Sequence, residues 1–290
     1  RFKDEYPNIP IVMVTGQDSR EDRLRAVEAG ADDFIGKPVD MTELRVRVTS
    51  QLEKKKAVDQ LKAHEAQLEE KVKERTEALR ETLDELAESK RAIQDAYVEA
   101  INRLARAAEF KDKGTGCHVE RVGGCVEVLA QEAGLSPGTV EVFRYASRMH
   151  DVGKVGIPDT ILLKSSELVG EEWEMMKTHT VLGRRILSGS SSEILQAGEV
   201  IAECHHEKWD GSGYPRGLEG KDIPIEGRIC ALADVFDALI SDRPYRPAYP
   251  VEKAFSIMEQ GRGTHFDPDL FDLFESNLDA IVKAGEAGAK

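Results

Sequence analysis

Along the 290 residues, apolar positions follow three different patterns. Between residues 9 and 41 they come in short blocks. "IPIVMVTG" at 9–16 is a continuous apolar run bounded by turn formers, which predicts a buried parallel strand. "REDRLRAVEAGA" at 20–31 predicts an amphipathic helix ending at Gly30, and "DDFIGKP" at 32–38 a second short strand. From Met41 to Phe110 there is neither Pro nor Gly, and Glu, Lys, Arg, Ala and Leu dominate. Leu61, Leu68, Val72, Leu79, Leu83, Leu86, Ile93, Tyr97 and Leu104 recur there at spacings of three, four and seven. That heptad seam predicts one long helix pairing as a coiled coil, although Thr76 and Lys90 interrupt it and a solvated single helix is the alternative. From Lys111 onward the pattern is helix after helix, punctuated by Gly114, Gly134, Gly153, Gly189 and the 211–227 loop. The expected fold is therefore mainly α, in three regions: 1–41, 42–110 and 111–290.

Charge and composition narrow the function. A formal net charge of −14 argues against a nucleic-acid-coating surface, because such proteins carry basic stripes. An anionic ligand would need cations concentrated locally. No apolar run approaches the roughly 18 to 20 residues that span a bilayer, and no signal peptide opens the chain, so neither membrane nor export is expected. The four cysteines (117, 125, 204 and 230) form no CxxC pair, which points to small buried hydrophobes in a reducing cytoplasm.

Most of the histidines share a trait. His118 lies on a stripe with Val122, Cys125 and Leu129, and His150 follows Phe143 and Ser147 on a helix that Gly153 ends. His179 sits with Met176 and Ile186 on a helix opening near Glu171, and His205 and His206 close the helix that holds Ile194 and Ile201. Asp151 follows His150 directly, and Asp234 shares a stripe with Gly227, Cys230, Ala231 and Ala238, small residues that leave room beside it. Five histidines and two carboxylates thus project inward from five helices. One inward histidine is commonly a hydrogen-bonded core residue. Five without partners would be costly to bury, and divalent metals satisfy them together. Seven ligands exceed one ion but suit two with a bridging carboxylate, and the adjacent His205 and His206 can then serve different ions.

Two resemblances extend this reading. Thr15 after the first strand and Lys37–Pro38 after the second make residues 1–41 similar to the second half of a response-regulator receiver domain. In that family the phosphoacceptor lies on an earlier strand, so none is expected in this chain, and an upstream histidine kinase is implied only with a full receiver. "HDVGK" at 150–154, "HHEKWDGSGYP" at 205–215 and "DVFDALISDRPYR" at 234–246 resemble the HD-GYP family of cyclic di-GMP phosphodiesterases, over roughly residues 100 to 285. The resemblance puts His118, His150, Asp151, His179, His205, His206 and Asp234 on the family's metal ligands, with Asp151 as the bridge. It puts Lys154 near the scissile phosphate, makes Gly213, Tyr214 and Pro215 the GYP motif, and places Arg243, Tyr245 and Arg246 where the dinucleotide phosphates are gripped. Trinuclear members carry a Glu four residues before the first histidine. Here that position is Gly114, so two metals are expected. The imidazole-rich set points to iron or manganese rather than magnesium, without separating those two.

The implied reaction is in-line attack on phosphorus that expels the ribose 3′-oxygen, opening cyclic di-GMP to linear pGpG, with GMP as the product of a second round. Lys154 would stabilise developing charge or help protonate the leaving oxygen. Two rival readings stay open on the residues: a cyclic-dinucleotide receptor or adaptor that docks a diguanylate cyclase (a GGDEF-domain protein), and an HD phosphohydrolase for another nucleotide such as cyclic GMP-AMP. The complete ligand set and Lys154 favour catalysis, and the coiled coil implies a parallel homodimer.

Overall fold

A computed structural model describes residues 5–16, 20–112, 117–242 and 247–288, and divides at Lys90 and Arg91 into two compact units. The predicted strands and helix of the first unit are present, but the first strand is not buried as expected: Val14 is exposed. Strand β1 (Val12–Thr15) and strand β2 (Asp33–Gly36) pair in parallel, from Val12 opposite Asp33 to Thr15 opposite Gly36. Parallel strands need a crossover, and helix α1 (Arg20–Glu28) supplies it, with Gly30 at φ 85° just beyond its end. Ala26 and Ile35 form the small buried core here. Asp40 Oδ1 then accepts the backbone N–H groups of Thr42 (2.6 Å) and Glu43 (3.2 Å), capping helix α2 (Met41–Lys111). Arg47 ties the start of α2 to β2 through Asp33 at 2.6 Å.

Helix α2 runs unbroken for 71 residues, as its lack of Pro and Gly predicts. Leu61, Leu68, Val72, Leu79, Leu83, Leu86, Ile93 and Leu104 all expose more than two fifths of their surface. Tyr97 departs from that seam. It is half-buried and donates from its hydroxyl to Ser192 Oγ at 2.7 Å, because the last turns of α2 already pack into the second unit through Ile101, Ala105 and Ala108.

The second unit is a helical bundle of α3 (His118–Glu132), α4 (Pro137–Ala146), α5 (Asp159–Leu162), α6 (Glu171–Lys177), α7 (His179–Leu187), α8 (Glu193–Cys204), α9 (Ile225–Ile240), α10 (Val251–Glu259), α11 (Pro268–Ser276) and α12 (Leu278–Gly288). Caps start two of these where the sequence signals them. Ser136 Oγ accepts from the Thr139 N–H ahead of α4, and Asp267 accepts from the Asp269 and Leu270 N–H groups ahead of α11, each followed by Pro at the first helical position. The main core joins α3, α4 and α8 to α9–α12 through Leu129, Phe143, Ile201, Ile229, Phe236, Met258, Phe271, Phe274 and Ile281. A second cluster of Ile101, Ala105, Val119, Met149, Leu187 and Ala202 seats the end of α2. Cys125, Cys204 and Cys230 are buried thiols, as expected, whereas Cys117 is only half-buried. Among the described residues no helix is long and apolar enough to cross a membrane.

Candidate metal centre

Most of the candidate ligands stand at helix ends rather than mid-helix. His118 is the first residue of α3 and His179 the first of α7, while His205 caps the C-terminus of α8 with His206 beside it. Only Asp234 lies within a helix, α9. Two local expectations need correction. His150 is not on α4, which stops at Ala146; the chain continues through 3₁₀ turns at Ser147–Met149 and Val152–Gly156, with His150 and Asp151 between them. The turns carry the backbone at Gly153 hard against α7, where an added Cβ would sit 1.9 Å from His179 O. His179, likewise, does not lie within the helix that opens at Glu171. The break falls at Thr178, whose Oγ1 donates to Met175 O at 2.6 Å and offers the backbone an alternative to continued helix.

Side-chain anchors aim the rings. Nδ1 of His150 lies 2.8 Å from Ser147 O, and Nδ1 of His179 lies 2.7 Å from Met176 O. His205 Nδ1 reaches Ile201 O and Ala202 O at 3.0 and 3.1 Å. Each ring then turns Nε2 to the centre: His179 and His205 meet at 3.5 Å between Nε2 atoms, and His118 and His150 at 3.4 Å. The ligand atoms of Asp151, His179, His205 and His206 lie within 4.8 Å of one another, and so do those of His118, His150 and Asp151. Asp151 belongs to both groups. Asp234 Oδ1 joins the second group at 3.4 Å from His118 Nε2 and 3.7 Å from His150 Nε2.

The electrostatics suit cations. Burial, joined by neighbouring imidazoles, pushes His205 far down, and burial holds His206 at about 4 and His179 below its usual value, which favours the neutral rings a cation needs. Burial acts the same way on His118 and His150, but there the carboxylates win: Asp234 and Asp237 lift His118 to about 10, and Asp151 lifts His150. Burial would raise Asp151 and Asp234, yet Lys154 and His150 hold Asp151 well below the carboxylate range, and His118 and His150 hold Asp234 below it. Asp151 Oδ1 is buried with no hydrogen-bond partner among the described residues, 3.4 Å from His179 Nε2 and 3.8 Å from His205 Nε2. A lone pair desolvated beside neutral imidazole nitrogens is what a bound cation satisfies. The donor set therefore fits metal ions.

Around this centre lie the other predicted residues. Lys154 Nζ sits 2.7 Å from Asp151 Oδ2 and 2.8 Å from Asp112 Oδ2 at the end of α2, and the two carboxylates raise its pKa against the effect of burial. Tyr214 packs its ring 4.8 Å from that of His206, with Trp173 on another side at 6.2 Å. Gly213 is a packing position: a Cβ there would lie 2.3 Å from Lys208 N and 2.5 Å from Glu207 Cα. Pro215 is exposed. Gly114, Arg243, Tyr245 and Arg246 lie outside the described residues.

Sequence reasoning missed several supports. Asp237 contacts His118, and its signal was available three residues after Asp234 on the same helix face. Buried Glu207 accepts the N–H groups of Arg216 (2.8 Å) and Leu218 (3.0 Å) and shapes the GYP loop, with no periodic signal to reveal it. The sequence pattern assigns no role to Asp112 or Lys111, yet Asp112 holds Lys154 and Lys111 Nζ donates to Val155 O at 2.8 Å and Ile157 O at 2.6 Å.

Residues 102–270 match the family model described as the HD domain, and residues 1–49 match the response regulator receiver domain. The chain belongs to the HD domain family. It is of the HD-GYP type. A cyclic di-GMP phosphodiesterase of Thermotoga maritima is 41% identical over 274 residues, covering 94% of this chain and 73% of that protein. The cyclic di-GMP phosphodiesterase response regulator RpfG of Xanthomonas campestris is 39% identical over 267 residues, 92% of this chain and 67% of the relative. A 3'3'-cGAMP-specific phosphodiesterase 2 of Vibrio cholerae is 42% identical over 190 residues, 66% of this chain and 36% of that protein. HD domain phosphodiesterases are metal-dependent, in keeping with the donor set here.

Proposed function

We propose that this chain hydrolyses cyclic di-GMP to pGpG, and onward to GMP, at a two-metal centre built from His118, His150, Asp151, His179, His205, His206 and Asp234. The carrying observation is the Asp151 carboxylate, which turns Oδ1 toward His179 and His205 and Oδ2 toward His150, at 3.3 Å from its Nε2. Two divalent ions bound there, iron or manganese on ligand type, would supply an activated water and neutralise phosphoryl charge. Asp151 holds the two ligand groups in register as the bridge. Lys154, clamped between Asp151 and Asp112, presents a fixed positive charge beside the centre, where negative charge grows on the phosphoryl oxygens and the leaving 3′-oxygen. Tyr214 covers His206 and limits water on that side, on a loop whose course Gly213 and Glu207 set and Pro215 continues. Arg243, Tyr245 and Arg246 grip the substrate phosphates, Arg forks matching their geometry.

The same reading extends to partners. The exposed seam from Leu61 to Leu104 pairs two copies as a parallel coiled coil, which removes a stripe of leucines from water. The receiver segment implies an upstream phosphodonor, a histidine kinase in our reading. Docking to GGDEF-domain proteins is a secondary role we assign to the GYP loop. A second substrate reading has its own support: the Vibrio relative specific for 3'3'-cGAMP shares 42% identity with this chain, so a mixed cyclic dinucleotide is the competing substrate.

Metal analysis of anaerobically purified protein, coupled to product assays on cyclic di-GMP and on 3'3'-cGAMP, tests the proposal. We expect about two metals per chain and release of pGpG from cyclic di-GMP. Faster turnover of 3'3'-cGAMP would exchange the substrate. A third equivalent, or an inactive zinc-only protein, would count against the two-metal assignment.

A further inference from the structure

The histidines of the centre are not oriented alike. His150, His179 and His205 each turn Nδ1 to a backbone carbonyl at 2.7–3.1 Å. His118 uses a carboxylate instead: its Nδ1 lies 2.6 Å from Oδ2 of Asp237, a residue only 1% exposed. Asp237 is itself gripped by Arg121, whose Nε donates to Oδ1 at 2.6 Å and Nη2 to Oδ2 at 2.9 Å. Ser241 Oγ accepts from the same guanidinium at 2.9 Å and lies 3.3 Å from Oδ2. An ionised carboxylate only accepts, so the Nδ1 of His118 carries a proton toward Asp237, and Nε2 is the ring atom that faces His150 and Asp234.

A carboxylate behind a ligating imidazole does two things that a carbonyl does less well. It fixes the tautomer against rotation, and it draws electron density toward the ligating nitrogen. Asp237 stands three residues from Asp234 on α9, so one helix face supplies both a ligand and the support of its neighbour. Among the described residues nothing equivalent supports His179 or His205, whose Nδ1 partners are neutral backbone carbonyls. Resting on the two-metal reading, we infer that the two metal positions are chemically inequivalent, and that Asp237, held by Arg121, is the positioning residue for the His118–His150–Asp234 position alone.

The test is calorimetric titration of chelator-stripped protein with Mn²⁺ under anaerobic conditions, with metal counted after equilibrium dialysis. Asp237→Asn keeps the shape and an acceptor for Nδ1 but loses the charge. It should weaken one binding step by about 10–100-fold and leave the other within about twofold. His206→Ala, at the opposite position, should weaken the other step, which assigns each step to its site. Arg121→Lys keeps a cation beside Asp237 but not its two-point hold, and should weaken the same step as Asp237→Asn if that variant melts too readily to titrate. Unchanged steps in both variants would overturn the inference. So would equal weakening of both steps, since Asp237 would then support the fold rather than one position. A single step in the wild type would sink the two-metal reading and this inference with it. Two wild-type steps, with only the asymmetry missing, would sink the inference alone.

Discussion

Gly153→Ala tests how tightly the centre depends on one backbone contact. In the native chain the 3₁₀ turn at Val152–Gly156 lies on α7 with nothing between them at Gly153. A Cβ added there would meet His179 O at 1.9 Å, Gly183 N at 2.4 Å and His179 C at 2.8 Å, all backbone atoms that cannot rotate aside. Ordinary contact begins near 3.4 Å, so the two segments must part by roughly 1.5 Å. One carries Asp151 and Lys154, the other His179, and metal sites hold their ligand distances to about 0.2 Å. The displacement therefore breaks the Asp151–His179–His205–His206 group while leaving every ligand in the chain. Overpacking of this kind costs about 1–3 kcal/mol or more, and for a domain of this size each kcal/mol lowers the melting temperature by about 2–4 °C. Melting should be followed with excess chelator, so that it reports the fold alone, then metal content by mass spectrometry and turnover by chromatography. We expect a melting temperature lower by roughly 5–10 °C, metal loss from one position, and turnover reduced about 100-fold or more. Gly156→Ala in the same turn is the control, because its Cβ would meet only the end of the Leu182 side chain, at 2.8 Å, which can swing away. Full metal content and wild-type turnover in Gly153→Ala would refute the reasoning.

Four further outcomes are expected. Lys154→Met should lower kcat by about 10²–10³-fold in steady-state assays while metal remains bound, since a charge aimed at the transition state is lost. Glu207→Gln weakens the acceptor of the Arg216 and Leu218 N–H groups, at a cost of about 1–3 kcal/mol, and should speed hydrogen exchange at those amides and raise KM with metal content unchanged. Leu79→Lys with Leu86→Lys puts like charges on the seam, so sedimentation should show a monomer that keeps its metals; a dimer would move the interface elsewhere. Burial, helped by Lys208, pushes His265 down to about 4. The unfolded chain then binds the extra proton first, so stability present above about pH 6.5 is lost as pH falls toward 4, by at most about 3 kcal/mol. His265→Gln should flatten that limb in chelator-treated melts recorded against pH, and an unchanged limb would place the acid sensitivity elsewhere.

Residue type and spacing alone determined much of this protein. Two apolar runs flanking an amphipathic segment specify a parallel strand pair, because only a helix crossover joins such strands over so few residues. Seventy residues without Pro or Gly specify α2, since nothing in them interrupts the backbone ladder. The candidate ligands were legible too, because inward stripes of imidazole and carboxylate have few other uses. Tertiary structure decided what those groups meet. Tyr97 fits the heptad seam by spacing, yet turns to Ser192, 95 positions away, because the bundle covers that face of α2. His150 reads as helical, but it sits between two 3₁₀ turns, the second of which brings Gly153 against α7. Asp237 reads as one more carboxylate on α9 until His118, 119 positions earlier, brings its Nδ1 within 2.6 Å. Periodicity records which face of an element is buried. It does not record which neighbour arrives at that face or at what distance, and metal coordination depends on distances that only the packing of separate elements sets.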